Sequence, residues 1–211
     1  MKTDDLIELL SQDQTSHWSL GRTFALALLG GVLISSALFV MAVGVRSDIN
    51  AAIETLRVIL KFVFSLALAV SSFKAVKHLA RPDTYPVNWL WGALSAYLLL
   101  ILAAGFELMV VPRDLWGERL VGNNALDCLM WIPVLSLAPL IAIMMAIRKG
   151  ATTRPGLTGA LAGFSASGIA AVLYALHCPD DSPLFVMIWY SIATVSVACV
   201  GYFGGRFFLK W

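Results

Sequence analysis

The chain has 211 residues, of which 59% are hydrophobic and 13% charged, with a formal net charge of +2 and a mean hydropathy of +0.82. Water-soluble domains hold roughly half apolar and a quarter charged residues, so this composition excludes an ordinary soluble globule and makes lipid the main solvent. The small, scattered basic excess excludes a nucleic-acid surface, and three cysteines without a CxxC pair or Cys/His zinc spacing point away from thioredoxin-type chemistry and structural zinc.

Residues 3–13 read TDDLIELLSQD. Thr3 can cap a helix, Asp4 and Asp5 sit where the helix dipole favours negative charge, and Leu6, Leu9 and Leu10 fall at i, i+3, i+4. The spacing predicts a short amphipathic helix with an acidic face. So short a helix is marginal alone in water and orders when its leucine stripe finds a partner. A protein groove suits it better than a lipid surface, because interfacial helices carry Lys and Arg on the polar face and this one is acidic.

Six stretches are apolar enough over about 20 residues to span the hydrocarbon: 23–45, 53–73, 89–111, 125–147, 156–176 and 184–209. Trp89 and Trp211 stand near span ends as interfacial anchors. Gly159 and Gly163 form a GxxxG pattern suited to close helix packing. The stretch ahead of the first span carries Asp4, Asp5, Glu8 and Asp13 and lacks a basic leader, so the span is expected to be retained rather than cleaved as a signal peptide. The fold class is therefore an all-α integral membrane protein. It is a six-transmembrane-helix bundle over 23–211, preceded by an N-terminal cytoplasmic partner-binding segment over 1–22 with its short amphipathic helix.

Basic residues in short loops are retained in the cytoplasm. With the N-terminus inside, Lys2, Arg22, Lys74, Lys77, Arg81, Arg148, Lys149, Arg154, Arg206 and Lys210 fall on the inner side. Arg46, Arg57, Arg113 and Arg119 fall on the outer side, with Lys61 in the outer half of its span. That two-to-one bias places both termini in the cytoplasm and the loops around 46–52, 112–124 and 177–183 outside.

Cys128 then opens the fourth helix at its outer end, and Cys178 lies in the outer loop between the fifth and sixth. Both map to one aqueous side, in a compartment that permits disulfides, which favours a redox- or metal-responsive pair. His177, Asp127, Asp180 and Asp181 can add imidazole and carboxylate groups around a captured soft or borderline metal. Cys199, in mid-span, reads as a small apolar filler. Lys61 and Glu107 sit at similar depth in the second and third spans and are expected to form an intramembrane ion pair, since an unpaired charge there costs about 2.5 to 3.5 kcal/mol.

The opening MKTDDLIELLSQD, the six spans, the outer Cys128 and the run HCPDDSPLFVMIWYSIA over 177–193 together resemble the NrsF family, membrane anti-sigma factors of proteobacteria. The resemblance covers essentially the whole chain. It implies a non-enzymatic inner-membrane regulator that holds an extracytoplasmic-function sigma factor away from RNA polymerase. It also implies that cysteines matching Cys128 and Cys178 take part in sensing oxidants or heavy metals. On that basis Asp4, Asp5, Leu6, Ile7, Glu8, Leu9 and Leu10 are the expected sigma-factor contacts. No resident cofactor is expected, only a regulatory heavy-metal ion or a disulfide at the two thiols; the partners are the sigma factor and the lipid bilayer. The competing readings are a small transporter or channel using Lys61 and Glu107, and a membrane thiol oxidoreductase.

Overall fold

The computed structural model describes residues 19–81 and 87–209. The acidic leucine-bearing segment, Lys210 and Trp211 lie outside the described residues. Six helices are long and apolar enough to cross a membrane: α1 (Leu20–Ala42), α2 (Leu56–Leu79), α3 (Val87–Val110), α4 (Ala125–Ile147), α5 (Pro155–Ala175) and α6 (Pro183–Phe208). Among the described residues there is no strand.

The helix ends follow local chemistry. α1 starts three residues earlier than hydropathy alone suggests, because Ser19 is extended and its hydroxyl accepts from the amide of Arg22. It stops where Gly44 turns to φ +76°, with the amides of Val43 and Gly44 both donating to the Phe39 carbonyl. α2 starts later than expected, because 49–52 forms a separate turn and Thr55 is extended. It runs past the expected end at 73, since Lys74 lays its ammonium 4.3 Å from the Trp89 ring centre and Lys77 and His78 complement the C-terminal dipole. Within α6 the hydrogen bonding widens to a π turn over Val186–Tyr190.

α5 is the hub. It packs against α6, α2 and α4, and 67% of its most apolar stretch is buried inside the protein, against 22% for α1 and for α3. Its sequence explains this, because a stripe of Gly159, Ala162, Gly163, Ala166 and Ala170 brings neighbouring backbones close. A Cβ on Gly159 would strike the Gly201 carbonyl of α6, and one on Gly168 would lie 2.7 Å from the Ala69 amide nitrogen of α2. The GxxxG pair thus packs against α6.

α1 and α3 sit at the periphery, α1 mainly on α4 and α3 on α2. The α1–α4 seam is built around Pro139. A proline in mid-helix cannot donate to the carbonyl four residues back, so the Leu135 carbonyl needs another donor. Ser35 of α1 supplies it, its hydroxyl donating to that carbonyl at 2.7 Å. One turn away, Gly31 rests against Pro139, where a Cβ would come within 2.6 Å of the proline Cα. Outward faces are apolar, with Leu29, Leu33 and Ile34 on α1, Leu102 and Phe106 on α3 and Phe203 on α6 all exposed. So broad an exposed apolar belt is what a bilayer solvates. Cys199 also faces outward from α6 and is exposed, which corrects the expectation that it fills the interior.

The seam yields a paired test. Gly31→Leu is expected to cost about 1 to 3 kcal/mol by overpacking against the Pro139 backbone. Gly30→Leu, whose Cβ meets nothing within 4 Å, should be neutral. Thermal unfolding midpoints of the detergent-solubilised variants check this, with Gly31→Leu alone falling by several degrees.

Candidate functional site

The two cysteines singled out by sequence meet. Cys128 lies in the first turn of α4 and Cys178 just beyond the end of α5, where its amide still donates to the Tyr174 carbonyl. Their sulfurs are 4.0 Å apart, both are free thiols, and neither is exposed. Tyr174, Phe185 and Tyr190 are buried in the same cluster, with the two tyrosine rings 6.4 Å apart. Tyr190 closes the π turn of α6, and its hydroxyl is buried with no hydrogen-bond partner among the described residues.

What seals the thiols is the segment 176–184, held by charged groups from α2, α3 and the end of α1 and by amides ahead of α4. Lys61 of α2, whose side chain is fully buried, donates to the Cys178 carbonyl at 2.9 Å, the Asp180 carbonyl at 3.1 Å and the Asp181 carboxylate at 3.0 Å. An ammonium has three N–H groups, so all are used within one short loop. Arg46, just past α1, donates to the other Asp181 oxygen at 2.8 Å and to the Cys178 carbonyl at 3.3 Å. It also grips Asp48 with two bonds of 2.7 Å.

The remaining groups clamp the loop to the helix starts. One oxygen of Asp180 accepts from the amides of Asn123 and Asn124 and from the Asn124 side chain, tying the peptide groups ahead of α4 to the loop. Gly122 permits this approach, with φ +56° and a virtual Cβ only 2.8 Å from the Asp180 carboxyl carbon. Glu107 of α3 accepts from the Ser182 hydroxyl at 2.6 Å and from the Leu184 amide at 3.2 Å, placing an anion at the start of α6. Its second oxygen lies 3.3 Å from the Arg57 guanidinium. The Nδ1 of His177 donates to the Gly44 carbonyl, and the indole of Trp189 to the Leu120 carbonyl.

Two expectations are corrected. Lys61 and Glu107 do not pair with each other; Lys61 pairs with Asp181 and Glu107 with Arg57, because the α5–α6 loop folds back between them. Nor do His177, Asp127, Asp180 and Asp181 surround the thiols as ligands. The carboxylates of Asp180 and Asp181 and the His177 ring are committed to the cap, Asp127 is exposed, and no cluster of three metal-ligating side chains occurs among the described residues.

Electrostatics at this end follow the contacts. The Arg46 guanidinium holds the Asp48 carboxyl at about 2, and Asp48 in turn raises Arg46. The Cys178 thiol is held below its usual value, first by its hydrogen bond with Cys128 and then by the nearby charge of Lys61. Cys178 is therefore the readier of the two to ionise. The roles of Arg46, Arg57, Asn124 and the two tyrosines were not visible in sequence. The usable signal was that Arg46 and Arg57 are exceptions to the basic bias, placed where positive charge is otherwise scarce.

The chain matches the NrsF family, described as negative regulator of sigma F, over residues 10–211. It is 32% identical over 214 residues to the probable anti-sigma-F factor NrsF of Azospira oryzae, and 31% identical over 216 residues to the anti-sigma-F factor NrsF of Caulobacter vibrioides. Both alignments cover 100% of each chain. No solved structure gave a significant match. A family match across nearly the whole sequence, with two full-length relatives at this identity, shows that the chain belongs to the NrsF family.

Proposed function

We propose that this protein is a membrane anti-sigma factor that sequesters an extracytoplasmic-function sigma factor at the inner membrane. It releases that factor when Cys128 and Cys178 react with an oxidant or a heavy metal on the periplasmic side. The relatives' names supply the anti-sigma role. One observation carries the sensing half: two thiols 4.0 Å apart, sealed at the end of the bundle that the basic-residue bias assigns to the exterior. The N-terminal segment leads into the opposite end of α1, where the same bias assigns the cytoplasm. Asp4, Asp5, Leu6, Ile7, Glu8, Leu9 and Leu10 hold the sigma factor there, their leucine stripe seated in a groove and their carboxylates facing its basic residues.

The chemistry at the thiols is of two kinds. A two-electron oxidant joins the sulfurs, which must close from 4.0 Å to about 2 Å. A thiophilic cation displaces both protons and is held between the two thiolates. Either event moves the start of α4 relative to the 176–184 loop. A displacement of that kind releases the sigma factor only by favouring an arrangement with lower affinity for it. The transporter reading has lost its basis, because Lys61 and Glu107 are both consumed by the cap.

Deleting residues 3–13 is expected to raise transcription from the sigma factor's promoters at least tenfold without any inducer, with the shortened protein still in the membrane. Unchanged transcription would remove the partner-binding role of the segment. Cys128→Ser and Cys178→Ser, each alone, should keep repression intact and abolish induction by peroxide and by cadmium. Reporter transcription and membrane immunoblots read both effects, and an undiminished response in either variant would end the sensor reading.

A further inference from the structure

The proposed switch needs a connection between thiols at one end of the bundle and a binding segment at the other. α1 spans that distance. Its first residue, Leu20, falls within the last three residues of the N-terminal segment 1–22, and its last turn opens into Arg46.

Four hydrogen bonds tie the end of α1 to the residues around Cys178. The Arg46 amide donates to the Leu176 carbonyl at 3.0 Å, and His177 Nδ1 bonds the Gly44 carbonyl at 3.1 Å. The Arg46 guanidinium reaches the Cys178 carbonyl and the Asp181 carboxylate. Along its length α1 lies mainly on α4, the helix that carries Cys128, through the Ser35–Leu135 bond and the Gly31–Pro139 contact. Phe24 also meets Phe73 of α2 and a few residues touch α5, while most of the remaining surface faces outward. One thiol thus holds α1 through the helix beneath it and the other through the loop at its end. α3, the other peripheral helix, bonds the loop through Glu107 but packs mainly on α2 rather than on α4.

We propose that Arg46 is the positioning residue that couples the thiol pair to the sigma-binding segment, with α1 as the rigid element that carries the displacement. This rests on the sensor reading above and names its route. When hydrogen peroxide oxidises the two thiols, one S–S bond forms, the O–O bond breaks, and two waters leave. Cys128 and Cys178 then draw together, and α4 shifts against the 176–184 loop. Arg46 is fixed to that loop by its guanidinium and its amide, so the end of α1 follows the loop while its flank slides on α4. A helix of 23 residues passes that motion to its other end with little loss. The fork of Arg46 is essential because it engages Asp48, Asp181 and the Cys178 carbonyl at once, which a lysine ammonium on a shorter reach does not reproduce.

The test separates thiol chemistry from its consequence. In cells carrying the full-length protein and its sigma factor, Arg46→Gln and Arg46→Lys are treated with hydrogen peroxide. Thiol oxidation is followed by mass-tag alkylation and transcription by a promoter reporter. Arg46→Gln should oxidise Cys128 and Cys178 as the unaltered chain does, while the ratio of induced to uninduced transcription falls close to one. Arg46→Lys should give an intermediate ratio. An unchanged ratio in Arg46→Gln overturns the proposal, and so does a loss of thiol oxidation, which would place Arg46 in the chemistry rather than the transmission.

If Arg46→Gln fails to accumulate, two glycines inserted between His17 and Trp18 decide the matter, since they leave the thiol end untouched. Oxidation without induction then supports α1 as the carrier, and full induction overturns it. Cys128→Ser and Cys178→Ser run alongside: induction surviving in them sinks the sensor reading itself, a result distinct from any failure at Arg46.

Discussion

The thiol end of this protein is organised by one buried charge. An ammonium placed in a helix bundle costs several kcal/mol unless its N–H groups all find acceptors. For Lys61 those acceptors come from residues 178, 180 and 181. The charge therefore dictates the path of a loop that would otherwise have many conformations. Removing one partner of such a buried pair typically costs about 3 to 5 kcal/mol, because it leaves the other charge buried and unpaired. Asp181 offers its second oxygen to Arg46, and Asp180 turns its carboxylate to the residues ahead of α4, so a single lysine fixes the geometry on which three helix ends converge. The 4.0 Å approach of the sulfurs is a consequence, because Cys178 sits inside the loop that Lys61 pins.

The spans were legible in the sequence because the requirement behind them is local. About 20 apolar residues between charged or Gly/Pro connections leave few alternatives, and α4 matches its expected limits at both ends. Ends set by caps and by snorkelling were less legible. The extension of α2 to Leu79 depends on Trp89 from the next helix receiving Lys74, a contact between elements that hydropathy does not register. The same holds in the site. That Cys128 and Cys178 share one end follows from counting spans. Which side chain Lys61 would meet does not, since depth along two helices says nothing of the direction each faces, or of a loop folding between them. The expected Lys61–Glu107 pair failed on that point, and the expected metal shell failed because carboxylates near a thiol in sequence were already satisfying backbone and lysine donors.

The division of labour among the helices has a physical basis in their side chains. α5, with its small residues, can approach three neighbours closely and forms a core that resists displacement. α1 rests mainly on α4, through Ser35 and through Gly31 against Pro139, with a smaller contact of Phe24 on Phe73 of α2 and hydrogen bonds at one end. Helices held along a single seam slide more readily than helices enclosed on several sides, because fewer interdigitated contacts must be broken together. A helix on the rim is thus less constrained than the α5 core it surrounds.

Burial of the thiols limits the access of any reagent to them. Neither sulfur is exposed, so a reagent reaches them only when the cap opens. Their reaction rate is then the product of two factors, the fraction of time the cap is open and the fraction of Cys178 present as thiolate. Lys61 acts on both in opposite directions. Its hydrogen bonds keep the cap shut, while its charge favours the thiolate. A thiol pair exposed on the surface would respond to any passing oxidant, and one buried without a cation would rarely ionise. The same cation that holds the cap shut thus also disposes the thiol beneath it to ionise.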